Sequence, residues 1–120
     1  MAAKDTLGRD GEDTAANYLR DAGYDILDRN WRCPLGEVDI IARDGDEIVV
    51  VEVKTRTTER YGHPLEAVDM RKRSRLWKLA AAWCRQHPDL ARGRGVRVDA
   101  VAIVGASASE FRVEHLQDLR

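Results

Sequence analysis

Two short hydrophobic runs set the frame of this chain. Val38-Asp39-Ile40-Ile41-Ala42 and Ile48-Val49-Val50-Val51-Glu52-Val53 are rich in β-branched residues and too short for helices. Between them lies the turn signal Arg43-Asp44-Gly45-Asp46, so the pair predicts an antiparallel hairpin. Upstream, Ala15, Ala16, Leu19 and Ala22 recur at helical spacing, with Tyr18 at one edge. They predict a helix from about Thr6 to Ala22, with Asp5 or Thr6 as its cap and Gly23 as its end. Tyr24 to Asp28 reads as a strand running on toward Trp31. Thr55 to His63 is a polar loop bearing Arg56, Arg60, Tyr61 and His63, and Pro64 opens a helical segment. Leu76, Leu79, Ala80 and Trp83 form the stripe of a second helix from about Asp69 to His87, capped by Asp69 and stopped by Pro88. Arg92-Gly93-Arg94-Gly95 reads as a flexible connector, Val96 to Val104 as a strand, and Phe111 to His115 as a last short strand. The order is αβββαββ, an α/β arrangement with helices covering a sheet.

The hairpin register carries the first chemical signal. With the loop centred between Gly45 and Asp46, Val38 faces Val53, Ile40 faces Val51 and Ala42 faces Val49, a wholly apolar face. On the other face Asp39 falls opposite Glu52, and Glu37 opposite Lys54. Like charges directly opposite each other in a ladder are destabilising. A divalent cation removes that repulsion, and hard carboxylate oxygens suit Mg²⁺ or Mn²⁺. The same pattern also fits a solvated charged face on an ordinary hairpin, and a bulge would exchange the faces.

Glu12 lies three, four and seven residues before Ala15, Ala16 and Leu19, on the buried stripe of the first helix, where a carboxylate requires a partner or a route to water. The second helix begins with Arg71, Lys72, Arg73, Arg75 and Lys78. Cations at a helix N-terminus oppose the macrodipole, so helix stability does not explain them, whereas an anionic partner does. Lys72, four residues before Leu76, extends the core-facing stripe.

The 120 residues suit a single domain, 1–120. A net charge of −1 conceals an asymmetry: residues 1–52 carry 6 Lys+Arg and 13 Asp+Glu, and residues 53–97 carry 12 and 4. A basic middle can bind a polyanion without a basic isoelectric point. No apolar run is long enough to span a membrane, and the N-terminus has no signal-peptide stretch. Cys33 and Cys84 stand in no metal-ligand spacing and read as reduced thiols of a cytoplasmic protein.

A helix glutamate, a strand aspartate, a strand Glu-x-Lys and a following basic helix together resemble the PD-(D/E)xK nuclease superfamily. More closely, the chain resembles the YraN-like bacterial family of predicted endonucleases, distantly similar to archaeal Holliday junction resolvases. The resemblance rests on Gly11-Glu12, Gly36-Glu37-Val38-Asp39, Val51-Glu52-Val53-Lys54-Thr55-Arg56, Glu66-Ala67-Val68 and Arg97-Val98-Asp99, and covers nearly the whole chain. It implies a restriction-endonuclease-like core, a mixed central sheet flanked by helices. It also implies Asp39 and Glu52 as metal ligands, Glu12 as the accompanying helix carboxylate and Lys54 as the catalytic lysine. Val38 stands where the superfamily's proline would, and Asp99 matches no superfamily role.

Three functions follow from this reading. The first is a Mg²⁺- or Mn²⁺-dependent phosphodiester hydrolase acting on DNA or RNA, with Arg56, Arg60, Arg71, Lys72 and Arg75 on the nucleic-acid backbone. The second is a nucleic-acid-binding module of the same fold without catalysis, and the third a metal-independent interaction protein. The resemblance to dimeric resolvases implies a homodimer, and nothing in the sequence calls for a membrane partner.

Overall fold

The hairpin forms from the two runs that predict it. In the computed structural model, which describes residues 3–60 and 62–119, strands β2 (Gly36–Asp44) and β3 (Glu47–Arg56) pair antiparallel through Ile40↔Val51, Ala42↔Val49 and Asp44↔Glu47. A two-residue Gly45-Asp46 loop joins them, and Gly45 takes φ +58°, the left-handed conformation that the first loop position of a tight hairpin turn demands. Tyr61 and the side chain of Asp5 lie outside the described residues.

Around this hairpin the sheet has the order β1-β2-β3-β4-β5, with β1 (Asp25–Cys33), β4 (Gly95–Val104) and β5 (Arg112–Leu116). Only β3 and β4 run parallel. A parallel pair requires a crossover. Helix α2 (Met70–Gln86) supplies it, followed by a single short turn of helix α3 (Pro88–Ala91). The chain is therefore α/β with a five-stranded mixed sheet. Its major elements follow αβββαββ, an order consistent with a restriction-endonuclease-like core.

Each face of the sheet carries a core. On one, Ala15, Ala16 and Leu19 of helix α1 (Ala3–Asp21) bury against Ile40, Val49, Val51 and Val101. On the other, Leu76, Leu79, Ala80 and Trp83 of α2 bury against Ile41, Val50 and Val98. Asp69 caps α2, accepting a hydrogen bond from the Lys72 amide at 3.0 Å, as the sequence indicates. Helix α1 departs from expectation at both ends. It is already helical at Ala3, since no Gly or Pro interrupts residues 3–6, and Ala22 is exposed beyond its end, in the turn closed by Gly23 (φ +96°). The basic connector is tied down: Arg94 donates to the Leu90 and Gly45 carbonyls.

One irregularity shapes everything that follows. Residues two apart on a strand share a face, yet Val38 packs in the α2-side core and Ile40 in the α1-side core. In β1 the same exchange occurs opposite. Arg29 reaches Glu12 and Asp13 on α1, whereas Trp31 packs with the α2 side, and the residue between, Asn30, is left-handed at φ 53°. The registers Arg29↔Ile40 and Trp31↔Val38 continue across this point, so β1 and β2 bend together. Strand β3 does not follow, because Val49, Val51 and Val53 all stay on the α1 side. The β2–β3 ladder consequently stops at Ile40↔Val51, and the expected pairs Val38–Val53, Asp39–Glu52 and Glu37–Lys54 do not form.

Candidate functional site

The carboxylates gather where that ladder opens. Asp39 is the residue at the bend of β2, and its Oδ2 accepts a hydrogen bond from the Val53 amide at 2.8 Å. A side chain thus satisfies the β3 donor that the departing backbone leaves behind. Glu52, next along β3, is buried, with 4% of its surface exposed. Burial, then the hydrogen bond and the like charge shared with Glu52, push the Asp39 carboxyl far above the ordinary carboxylate range, with a smaller push from Glu12. The Val53 amide acts in the opposite sense but does not prevail. Two carboxylates in such a setting share a proton or a cation.

Cations approach Glu52 from two elements. Lys72 of α2 places Nζ 2.8 Å from Oε2, and Lys54 of β3 places its Nζ 3.8 Å away. Buried Oε2 thus has an ammonium partner from each of two elements but no aligned hydrogen bond from either. Lys72, grouped by sequence with the phosphate-facing cations of its helix, is directed inward to this carboxylate. Its neighbours divide differently. Arg73 donates to the Val68 carbonyl at 3.1 Å, while Arg71, Arg75 and Lys78 are exposed around a shallow hollow of about 330 Å³ beside Leu35.

Glu12 enters from α1. Gly11 allows this approach, because a Cβ there would collide with the Thr55 side chain of β3. A helical glycine costs about 1 kcal/mol against alanine, so the close approach accounts for its presence. The Glu12 side chain is 17% exposed, and its Oε1 lies 3.4 Å from Arg29 Nη2, which also holds Asp13 at 2.8 Å. Glu12 is therefore near enough to act on Asp39 but is occupied by an arginine. Among the described residues, no three His, Cys, Asp or Glu side chains come together as a ready metal cage.

An open cleft of about 700 Å³ lies over this region, walled by Glu12, Arg32, Glu37, Lys54, Thr55 and Arg56. Asp39 and Glu52 are not on its wall, although Val53 between Glu52 and Lys54 is. Arg56 also borders a second hollow of about 570 Å³ that includes Arg60 and His63. His63 has a structural use there: its Nδ1 accepts from the Leu65 amide and its Nε2 meets Glu114 at 2.6 Å.

A donor set for a hard divalent cation is therefore partly present: two interacting carboxylates in a buried setting, one of them with a buried oxygen that receives no aligned hydrogen bond. Asp39, Glu52 and the Val53 carbonyl are the groups that fit it. Glu12 fits only at longer range, while Arg29 holds it.

The sequence missed one polar cluster. Asp99 of β4 is fully buried, and accepts hydrogen bonds from Arg97 Nε at 2.9 Å and the Asp118 amide at 3.0 Å, with His115 Nε2 at 2.7 Å. The Tyr24 hydroxyl joins them, receiving Arg97 Nη2 and Gln117 Nε2. An aspartate beside the apolar run from Ala100 to Val104 was the available signal, and Arg97, two residues earlier, its nearest same-face partner.

Residues 11–103 match the profile of an uncharacterised protein family, UPF0102. The chain is 55% identical over 117 residues to a UPF0102 protein of Arthrobacter sp. (strain FB24), covering 98% of each. It is 49% identical over 117 residues to one from Beutenbergia cavernae and 48% identical over 117 residues to one from Frankia casuarinae, again covering 98% of each chain. Among the described residues no helix is long and apolar enough to cross a membrane.

Proposed function

The chain belongs to the uncharacterised protein family UPF0102, and from that premise we propose that it is a divalent-metal-dependent phosphodiester hydrolase acting on nucleic acid. The observation that carries this reading is the meeting of Asp39 and Glu52 at the end of the β2–β3 ladder, with Lys54 two residues beyond Glu52. It agrees with the resemblance of these residues to the PD-(D/E)xK nucleases.

In this reading Asp39, Glu52 and the Val53 carbonyl hold a Mg²⁺ or Mn²⁺ ion, with Glu12 acting directly or through water. The ion supplies charge that polarises a phosphate oxygen and lowers the pKa of a water. Lys54 orients the attacking water or neutralises charge developing on the phosphate. Arg56 and Arg60, with Arg71 and Arg75 on α2, bind the polynucleotide backbone and fix its position without reading its sequence.

A second reading, a nucleic-acid-binding module without catalysis, is favoured by one observation: the third carboxylate, Glu12, is already taken by Arg29. Mn²⁺-dependent cleavage of a panel of linear and branched DNA and RNA, with Asp39→Ala as control, decides between them. Cleavage lost in the control supports the hydrolase. Binding without cleavage of any substrate supports the module.

A further inference from the structure

Lys72 occupies the third position of α2, directly after Asp69-Met70-Arg71. Local helix physics asks for Glu or Gln there, to complete a capping box and complement the positive end of the dipole. A lysine breaks both preferences, and rules broken locally are expected where function requires them. Its tertiary contact supplies the reason: Nζ lies 2.8 Å from Glu52 Oε2, a carboxylate oxygen with almost no access to water.

A metal ion on the same oxygen would compete with that contact. A Mg²⁺–oxygen bond is about 2.1 Å, so a bound ion and the ammonium would crowd one atom as like charges. The two other cations near the carboxylates are placed differently. Arg29 is anchored by Asp13 as well as Glu12, and Lys54 stands off at 3.8 Å. Lys72 has a flexible stem, a side chain 31% exposed, and exposed Arg71 and Arg75 beside it on the helix. It is therefore the cation able to leave Glu52 and rejoin a basic surface.

We propose that Lys72 is a resident counter-ion for Glu52, exchanged for the divalent cation, and that the released ammonium binds a phosphate of the arriving polyanion. Cation and polyanion then bind cooperatively, each favouring the state in which Lys72 has left Glu52. This rests on the reading of Asp39 and Glu52 as a cation-holding pair. Lys72 is in this sense a positioning residue, acting through Glu52 and the phosphate.

The test is calorimetric titration of Mn²⁺ into the wild type, Lys72→Met, Lys72→Arg and Asp39→Asn, each with and without a short phosphorothioate DNA duplex. Coupling of the usual size between two ligands corresponds to about five-fold or more in affinity. Lys72→Met is expected to bind Mn²⁺ alone more tightly by about that factor. The gain in Mn²⁺ affinity from adding the duplex should shrink correspondingly, while Lys72→Arg keeps most of it. Lys72→Gln takes the place of the methionine variant if that one does not fold. Unchanged Mn²⁺ affinity and unchanged coupling in the neutral variant, with binding still abolished by Asp39→Asn, overturn the role of Lys72 and leave the cation-holding pair intact. Wild-type protein that binds no Mn²⁺, or an Asp39→Asn variant that binds it equally well, removes the pair and Lys72 together.

Discussion

Asp39 and Asp99 are both aspartates on interior strands of one sheet, and the protein treats them oppositely. Asp99 is fully buried and surrounded by donors, so His115, Arg97 and the Asp118 amide hold its carboxyl below the ordinary range despite its burial. Asp39 is less exposed to donors: the charge that acts on it first is another carboxylate, and its carboxyl is held above that range. The first is a closed network of the kind that fixes a unique core. The second crowds two acids together, and a proton or the Lys72 and Lys54 ammonium groups, rather than a closed set of donors, offset their charge. Burial alone does not set the direction in which a carboxyl is shifted; the sign of its neighbours does.

The largest expected effect belongs to the satisfied site. Asp99→Ala leaves Arg97 buried without its main partner and should cost about 3–5 kcal/mol of stability by urea denaturation. A loss under about 1 kcal/mol would mean that Asp44 and Glu47, which also bind Arg97 at 3.2 and 3.0 Å, carry the network without Asp99. At the other site the large effect falls on activity. In the hydrolase reading, Lys54→Ala lowers the cleavage rate by about 10²–10³-fold, as removing a group that stabilises transition-state charge does. Mn²⁺ binding by that variant should persist in calorimetry.

Gly11→Ala sharpens the comparison from α1, because the new methyl group meets Thr55 directly. Overpacking of this kind costs about 1–3 kcal/mol. It should be visible as a lower melting temperature, and Gly11→Ala with Thr55→Ser should recover part of the loss.

The pH dependence follows from the Asp99 network. The Asp99 carboxyl is lowered on folding, so its contribution is complete above the unfolded value of about 4 and is lost as pH falls through the folded value. Burial first, then the Asp99 charge, raise the Tyr24 hydroxyl to about 12. Its contribution is complete below the unfolded value of about 10 and is lost as pH rises from there toward 12. Thermal melts across pH should therefore fall off at both extremes. In Tyr24→Phe the alkaline loss should be weaker while the acid limb remains.

The smallest effect is the most discriminating. Asp39→Asn retains an acceptor for the Val53 amide and removes the repulsion with Glu52, so its metal-free stability should lie within about 1 kcal/mol of the wild type, on the stabilising side. Asp99→Asn should instead be clearly destabilising. Equal losses in both would erase the distinction between the two aspartates.

The sequence by itself determined the parts whose causes are local. Short β-branched runs and the Asp-Gly turn set the β2–β3 hairpin and its register from Ile40 to Glu47. The stripe of Leu76, Leu79, Ala80 and Trp83, with Asp69 and Pro88 at its ends, set α2, and the order αβββαββ placed both helices against a sheet. Glu12, Asp39, Glu52 and Lys54 stood out as charges in places where the local pattern did not call for them. The tertiary structure alone decided how those charges meet. Asn30 and Asp39 bend β1 and β2 while β3 runs straight, which turns an expected ladder pair into a splayed site. It also aimed Lys72 at Glu52, gave Glu12 to Arg29 and closed Tyr24, Arg97 and His115 around Asp99. Periodicity and turn chemistry act over a few residues, whereas the partner of a buried charge is chosen by elements dozens of residues apart, whose approach depends on packing such as that of Gly11 on Thr55.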